Sequence, residues 1–285
     1  MKKNILKKKI ILGTANFTQR YGVRPVKVNL DEAKKILNLA KKNNLNILDT
    51  ADSYLDDISF FKYTKKKFKI ISKVKPDIKW ISLQYCKDEL DKQMIKLDSK
   101  IEILLLHDVN FFFLSSGIKV FKNLNILKKK GYFKKIGFSI YSPDSLEFLI
   151  TKYDIDVIQC PYNILDKRIV DSGWLYKLKK KNIEVHVRSI FLQGLLVNKK
   201  ISNKKYFKKW KNKILNWFKF LTLCRITPIE YILNDLLDHD FDRIIIGINN
   251  YDNLKEILNY KIKNNNKSVN FKIKDLKLID PRRWK

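Results

Sequence analysis

The chain has 285 residues, 45% hydrophobic and 12% aromatic, enough apolar content for a large core and too much for global disorder. Its formal net charge is +31, yet only eight of the 60 basic residues are arginine and the lysines run along the whole chain. That distribution reads as solvated surface and argues against a nucleic-acid groove, where arginine forks would gather.

No apolar run approaches the roughly 20 residues that a membrane-spanning helix needs. Behind the basic start, Ile10-Ile11-Leu12 is too short for a secretory leader, so a cytoplasmic protein is expected. Cys86, Cys160 and Cys224 lie far apart and make no metal-type spacing with His107, His186 and His239. Three reduced, mostly buried thiols and no metal are expected.

Short apolar runs alternate with longer amphipathic ones from the beginning of the chain to the end. Ile10 to Gly13 reads as a first strand. Asp31 to Asn43 reads as a helix with Ala33, Ile36, Leu37 and Ala40 on one face and Asn29 as its cap. Ile47-Leu48 is a second strand, and 56–67 is short and poorly patterned. Phe68 to Ser72 is a third strand, followed by a helix near Leu83 to Leu97. Ile101 to Leu106 is a fourth strand, and its helix, Ile118 to Lys130, stops at Gly131.

Lys135 to Ser139 is a fifth strand, with Pro143 opening a helix through Ile150. Val157 to Cys160 is a sixth strand, with a helix around Asp171 to Lys181, and Glu184 to Ser189 is a seventh. Residues Leu195 to Cys224 break the rhythm and hold a Trp/Phe-rich amphipathic stretch from Trp210 to Phe220. Pro228 to Leu237 resumes it with Thr227 as cap. Ile244 to Gly247 is an eighth strand, and Asp252 to Tyr260 reads as the last helix before a tail over 264–285.

Eight strands alternating with helices over one chain without a composition break predict a single (β/α)8 barrel spanning 1–285, with reactive groups at the C-terminal ends of the strands. An open doubly wound sheet is the alternative, but no G-x-G-x-x-G follows any strand.

Three consecutive strand ends carry ionisable groups. Asp49 ends the second and Tyr54 follows it, Lys73 ends the third, and His107 ends the fourth. A phenol with an ordinary pKa near ~10 is a poor acid at neutral pH. An adjacent ammonium stabilises its phenolate and makes proton donation easier. Asp49 would hold that lysine, and His107 could orient a carbonyl oxygen by hydrogen bonding. No activated nucleophile accompanies them, so covalent hydrolysis is not indicated.

With Asp49, Tyr54, Lys73 and His107 in this order, the sequence resembles the aldo-keto reductase family over essentially its whole length. Further matches are Gly13-Thr14-Ala15, Gly137-Phe138-Ser139, Gln159, Asn163 to Asp166, Phe191 to Leu196 and the terminal IDPRRW, several of them like bacterial members. The resemblance implies reduction of an aldehyde or ketone, on a sugar or an anionic metabolite, by hydride from NADPH, with NADH also compatible. Tyr54 would give the proton. It implies Ser139 and Gln159 at the nicotinamide amide. Arg188, Ser189, Phe191 and Gly194 after strand seven, and Gly247, Asn249, Asn250 and Asn253 after strand eight, would hold the rest of the cofactor.

The sequence departs from the family pattern at several points. Tyr54 and Lys73 are closer in sequence than usual, Ile140 replaces an amide-binding Asn, and Arg188 stands where many members stack an aromatic on nicotinamide. No basic residue occupies the 2′-phosphate position within Gly247 to Asn253. These departures leave room for an alternative, a dinucleotide-binding regulatory protein with weak or no catalysis.

Overall fold

The computed structural model describes residues 2–20, 22–23, 27–54, 59–64, 67–260 and 269–284, with the side chains of 2–4 outside that description. Eight parallel strands close into a barrel in sequence order: β1 (Ile10–Gly13), β2 (Ile47–Asp49), β3 (Lys69–Val74), β4 (Ile101–Leu106), β5 (Lys135–Ser139), β6 (Val157–Pro161), β7 (Glu184–Arg188) and β8 (Arg243–Gly247). β1 pairs with β8 at Ile10↔Ile244 through Gly13↔Gly247, which leaves no sheet edge.

The alternation of side chains along each strand divides the core in two. Ile11, Ile71, Ile103, Leu105, Val157 and Ile245 point into the barrel and pack on one another. Their neighbours, among them Ile10, Leu12, Ile70, Leu104, Ile158 and Ile244, pack outward against the surrounding helices. Gly137 is required where β5 meets β6. A Cβ on it would lie 1.8 Å from the Val157 carbonyl oxygen.

Local signals set the helix boundaries. Asn29 accepts the Glu32 N–H and opens helix Leu30–Lys42, and Thr227 and Glu230 form a reciprocal capping box at Pro228–Leu237. Helix Leu83–Leu97 spans its predicted residues. Three expectations need correction. β3 runs on through Lys73 to Val74, because Asp49 supplies a buried partner for a residue type that normally ends a strand at the surface. The helix Tyr251–Asn259 is not the last, since Leu276–Ile279 follows with Leu278 and Ile279 buried. An additional helix, Lys2–Lys9, precedes β1.

Within the poorly patterned stretch a short helix spans Ser59–Thr64, while 55–58 and 65–66 lie outside the described residues, as does 261–268. The irregular stretch after β7 holds three 3-10 turns and helix Lys211–Leu223. Cys86 and Cys160 are buried and Cys224 half-buried, all as free thiols. Burial pushes Cys86 up to about 11 and Cys160 up to about 12. No helix among the described residues is long and apolar enough to cross a membrane.

Candidate active site at the barrel mouth

Period two also builds the site. Asp49 stands two residues beyond Ile47, which packs on the barrel interior, Lys73 two beyond Ile71, His107 two beyond Leu105, and Gln159 two beyond Val157. Each therefore continues an inward-facing row one step toward the C-terminal mouth.

Lys73 is 4% exposed and Asp49 6% exposed. Lys73 Nζ donates to Asp49 Oδ1 at 2.5 Å and to the Thr50 carbonyl at 2.9 Å. An ammonium has three donors; its third has no partner among the described residues. Burial pulls the Lys73 ammonium below its ordinary range, and the Asp49 carboxylate opposes that pull. The other Asp49 oxygen accepts from Gln159 Nε2 at 2.8 Å, a bond that spans the barrel from β6 to β2. Ser139 Oγ lies 3.5 Å from Gln159 Oε1, and both residues are fully buried. The Asp49 backbone carbonyl accepts from the N–H and the hydroxyl of Thr14, which ties the loop after β1 to the end of β2.

His107 is half-buried, and its backbone N–H donates to Val74. Burial, reinforced by the positive charges of Lys73 and Arg188, pushes its imidazole down to about 4. It is neutral at physiological pH and can donate an N–H to a carbonyl oxygen without carrying charge. Tyr54 is half-buried and ends the 3-10 turn Asp52–Tyr54, five residues past Asp49, with its N–H on Ala51.

The chain belongs to the aldo-keto reductase family. The Aldo/keto reductase family profile matches residues 9–268, the whole barrel from just before β1 to beyond β8. Solved structures of bacterial aldo-keto reductases share the fold. The holo form of AKR11C1 from Bacillus halodurans has a TM-score of 0.69 at 19% identity, covering 88% of this chain and 85% of that chain. Glycerol dehydrogenase AKR11B4 from Gluconobacter oxydans has a TM-score of 0.64 at 17% identity, with 88% and 85% covered. No curated protein sequence matches the chain. Membership in the aldo-keto reductases supports a carbonyl-reducing oxidoreductase that uses a nicotinamide cofactor.

The residues expected at the cofactor divide between two rims of this aldo-keto reductase mouth. Ser139 and Gln159 lie in the buried floor. Ser189, Phe191, Gly194, Gly247, Asn249, Asn250 and Asn253 are exposed or half-buried in the loops after β7 and β8. After β7, Ser189, Leu192, Gln193 and Gly194 all have positive φ. A left-handed non-glycine residue costs about 1–2 kcal/mol, and such strain collects at ligand clamps. Beside Gly247 no described residue lies within 4 Å of where a Cβ would be, so the end of β8 is open there. Asn250 caps helix Tyr251–Asn259 by accepting from Asn253 N–H, and Asn249 accepts from Asn16.

Arg188 departs from that set. Although it ends β7, its guanidinium donates to the Ile140 carbonyl just past β5 at 3.0 Å and lies 4.3 Å from the Tyr141 ring. Sequence reasoning missed Tyr141 and Glu32. Glu32, on the helix after β1, accepts the Tyr251 N–H at 2.6 Å. Its only advance signal was an acid in a first turn. Tyr141 had none, since its contacts come from β7 and from the IDPRRW segment.

Proposed function

We propose that the chain reduces an aldehyde or ketone to an alcohol, with a nicotinamide dinucleotide as hydride source and Tyr54 as proton donor. The observation that supports this best is the buried Asp49–Lys73 pair, with one ammonium donor unused among the described residues, beside a neutral His107.

When bound, the dinucleotide supplies the hydride to the carbonyl carbon. Tyr54 gives its phenolic proton to the oxygen as that atom gains negative charge. Lys73 stabilises the phenolate left behind, and Asp49 and the Thr50 carbonyl hold Lys73 for that task. His107 donates a hydrogen bond to the same carbonyl oxygen and orients it. The floor of buried apolar side chains excludes water and strengthens each of these interactions.

Ser139 and Gln159 would meet the carboxamide of the cofactor. The strained loop at Ser189, Phe191 and Gly194, and the open end of β8 at Gly247, Asn249, Asn250 and Asn253, would take its phosphates and adenosine. None of these is basic, and a 2′-phosphate at the start of helix Tyr251–Asn259 would meet the Glu32 carboxylate. NADH is therefore better matched to this rim than NADPH. Dependence on a reduced dinucleotide fits a cytoplasmic enzyme.

The test is Tyr54→Phe. Turnover of aldehydes is expected to fall by roughly 100-fold or more, while the dinucleotide affinity, read by fluorescence titration, stays within about two-fold. Retained turnover would sink the assignment of Tyr54. Tight dinucleotide binding by the unaltered chain, with no oxidation across a broad carbonyl panel, would favour the regulatory alternative.

A further inference from the structure

Three arginines surround Tyr141, and they are not equivalent. Arg168 forks onto Asp166, with Nε to Oδ1 and Nη2 to Oδ2 both at 2.8 Å, and donates to the Tyr141 carbonyl at 3.0 Å. Arg282 forks onto Asp280 at 2.9 and 2.6 Å, and its guanidinium lies 3.3 Å from the Tyr141 ring centroid. Arg188 has the same ring as a neighbour but no carboxylate partner among the described residues. Its hydrogen bonds go to the Ile140 carbonyl at 3.0 Å and the Ser189 hydroxyl at 3.4 Å.

A guanidinium has five N–H donors, so most of the Arg188 fork is uncommitted. It is also half-buried, where an unmatched charge is costly. To reach Ile140 from β7 its side chain must cross above β6. That course carries it away from the loops after β7 and β8 and toward the side of the mouth where Lys73 and His107 lie. Its charge disfavours the protonated forms of both residues. Asp49 is already engaged by Lys73 and Gln159. Arg188 therefore brings to the mouth a positive charge with no carboxylate of its own among the described residues, held in place by Ile140 and Tyr141.

We infer that Arg188 is a substrate-binding residue and that the physiological carbonyl compound carries an oxyanion, a carboxylate or phosphate, which the free edge of the Arg188 guanidinium receives. A planar fork matches either oxyanion by paired N–H donors. The inference deepens the carbonyl-reductase reading by naming the substrate class, and it rests on that reading for the use made of the bound molecule. Asp280 holds Arg282 against the same Tyr141 ring on which Arg188 packs.

The experiment compares 4-carboxybenzaldehyde with benzaldehyde, and succinic semialdehyde with butanal, in the unaltered enzyme, Arg188→Gln and Arg188→Lys. The unaltered enzyme should favour the anionic member of each pair. Arg188→Gln should lower kcat/KM for the anionic member by roughly 30-fold or more, mainly through KM, and so remove most of the preference within each pair. Arg188→Lys keeps the charge without the fork and should fall between the two; it decides the matter if the Gln variant does not fold.

The rival source of an oxyanion is the pyrophosphate of the dinucleotide. A ten-fold or greater loss of dinucleotide affinity in Arg188→Gln, with the preference between paired aldehydes unchanged, overturns the inference in favour of that source. Absence of any preference for the anionic aldehydes in the unaltered enzyme also overturns it. Should no aldehyde turn over, calorimetric titration of 4-(hydroxymethyl)benzoate into the protein with oxidised dinucleotide decides. Binding that is lost in Arg188→Gln upholds the anion site while the reductase reading fails. No binding to the unaltered protein overturns the inference.

Discussion

Two successive layers inside the barrel are built by the same rule and have opposite chemistry. The lower is mostly apolar: Ile11, Ile71, Ile103, Leu105, Val157 and Ile245 pack together there, with the buried His186 two residues before Arg188. The upper, two residues further along the strands, holds Asp49, Lys73, His107, Ser139, Gln159 and Arg188, cross-linked by hydrogen bonds from β2 to β3 and from β6 to β2. The lower layer gives the upper one its properties. It denies water to Lys73 and Asp49 from below, so their pairing is made in a poorly polarisable setting, and it keeps His107 from protonating. The charged layer is in turn tolerable because Lys73, Asp49 and Gln159 hydrogen-bond one another.

The contrast can be broken most severely from above. Asp49→Ala leaves the Lys73 ammonium buried beside only the Thr50 carbonyl. Removing one partner of a buried ion pair is expected to cost roughly 3–5 kcal/mol of stability, and turnover should fall with it. Denaturant unfolding and cofactor oxidation together check this. A variant as stable and active as the parent would mean the pair contributes nothing.

Leu105→Ala attacks the lower layer alone. It should cost roughly 2–5 kcal/mol through the cavity it leaves, yet the activity per folded molecule at low temperature should stay within about ten-fold, since no reacting group is removed. A loss as deep as that of Asp49→Ala would erase the division of labour between the layers.

The gentlest probe is pH. The folded-state pKa of His107 is depressed to about 4, below its ordinary value of 6.5. Between those values the unfolded chain binds the proton and the folded one does not. Its contribution to stability is therefore full above pH 6.5 and is lost progressively as pH falls toward 4. Turnover should show no break assignable to His107 between pH 6 and 8. A pH–rate profile with an inflection near 6.5 that vanishes in His107→Gln would contradict this.

Much of this was legible in the sequence, and the parts that were not share a cause. The eight strands announce themselves by short apolar runs, and helix Leu83–Leu97 by its spacing. Asp49, Lys73, Gln159 and His107 could be placed at strand ends because position along a strand is a local property. The third strand was expected over Phe68 to Ser72 with Lys73 at its end, and it runs on to Val74. Only its pairing with Asp49, on a neighbouring strand, makes Lys73 a core residue. Helix Leu276–Ile279 has four residues, too few to show a period.

Arg188 was placed with the cofactor from its position in the chain. Its contacts with Ile140 and Tyr141 depend on the barrel having closed, as does the contact of Glu32 with Tyr251. Contacts between distant segments carry no local pattern, and the finer features of the mouth consist of such contacts.

The hydrogen bonds between β1 and β8 bear on how the protein comes into being. Ile10 must wait for Ile244, so nearly the whole chain is synthesised before its first strand finds one of its two neighbours. Until then the nascent sheet has bare margins and a half-lined interior, a state prone to pairing with other chains. Native contacts of such long sequence separation slow folding. The abundant lysines along the chain then acquire a use during biogenesis: incomplete chains are cationic too, and repel one another while they wait for their last strand.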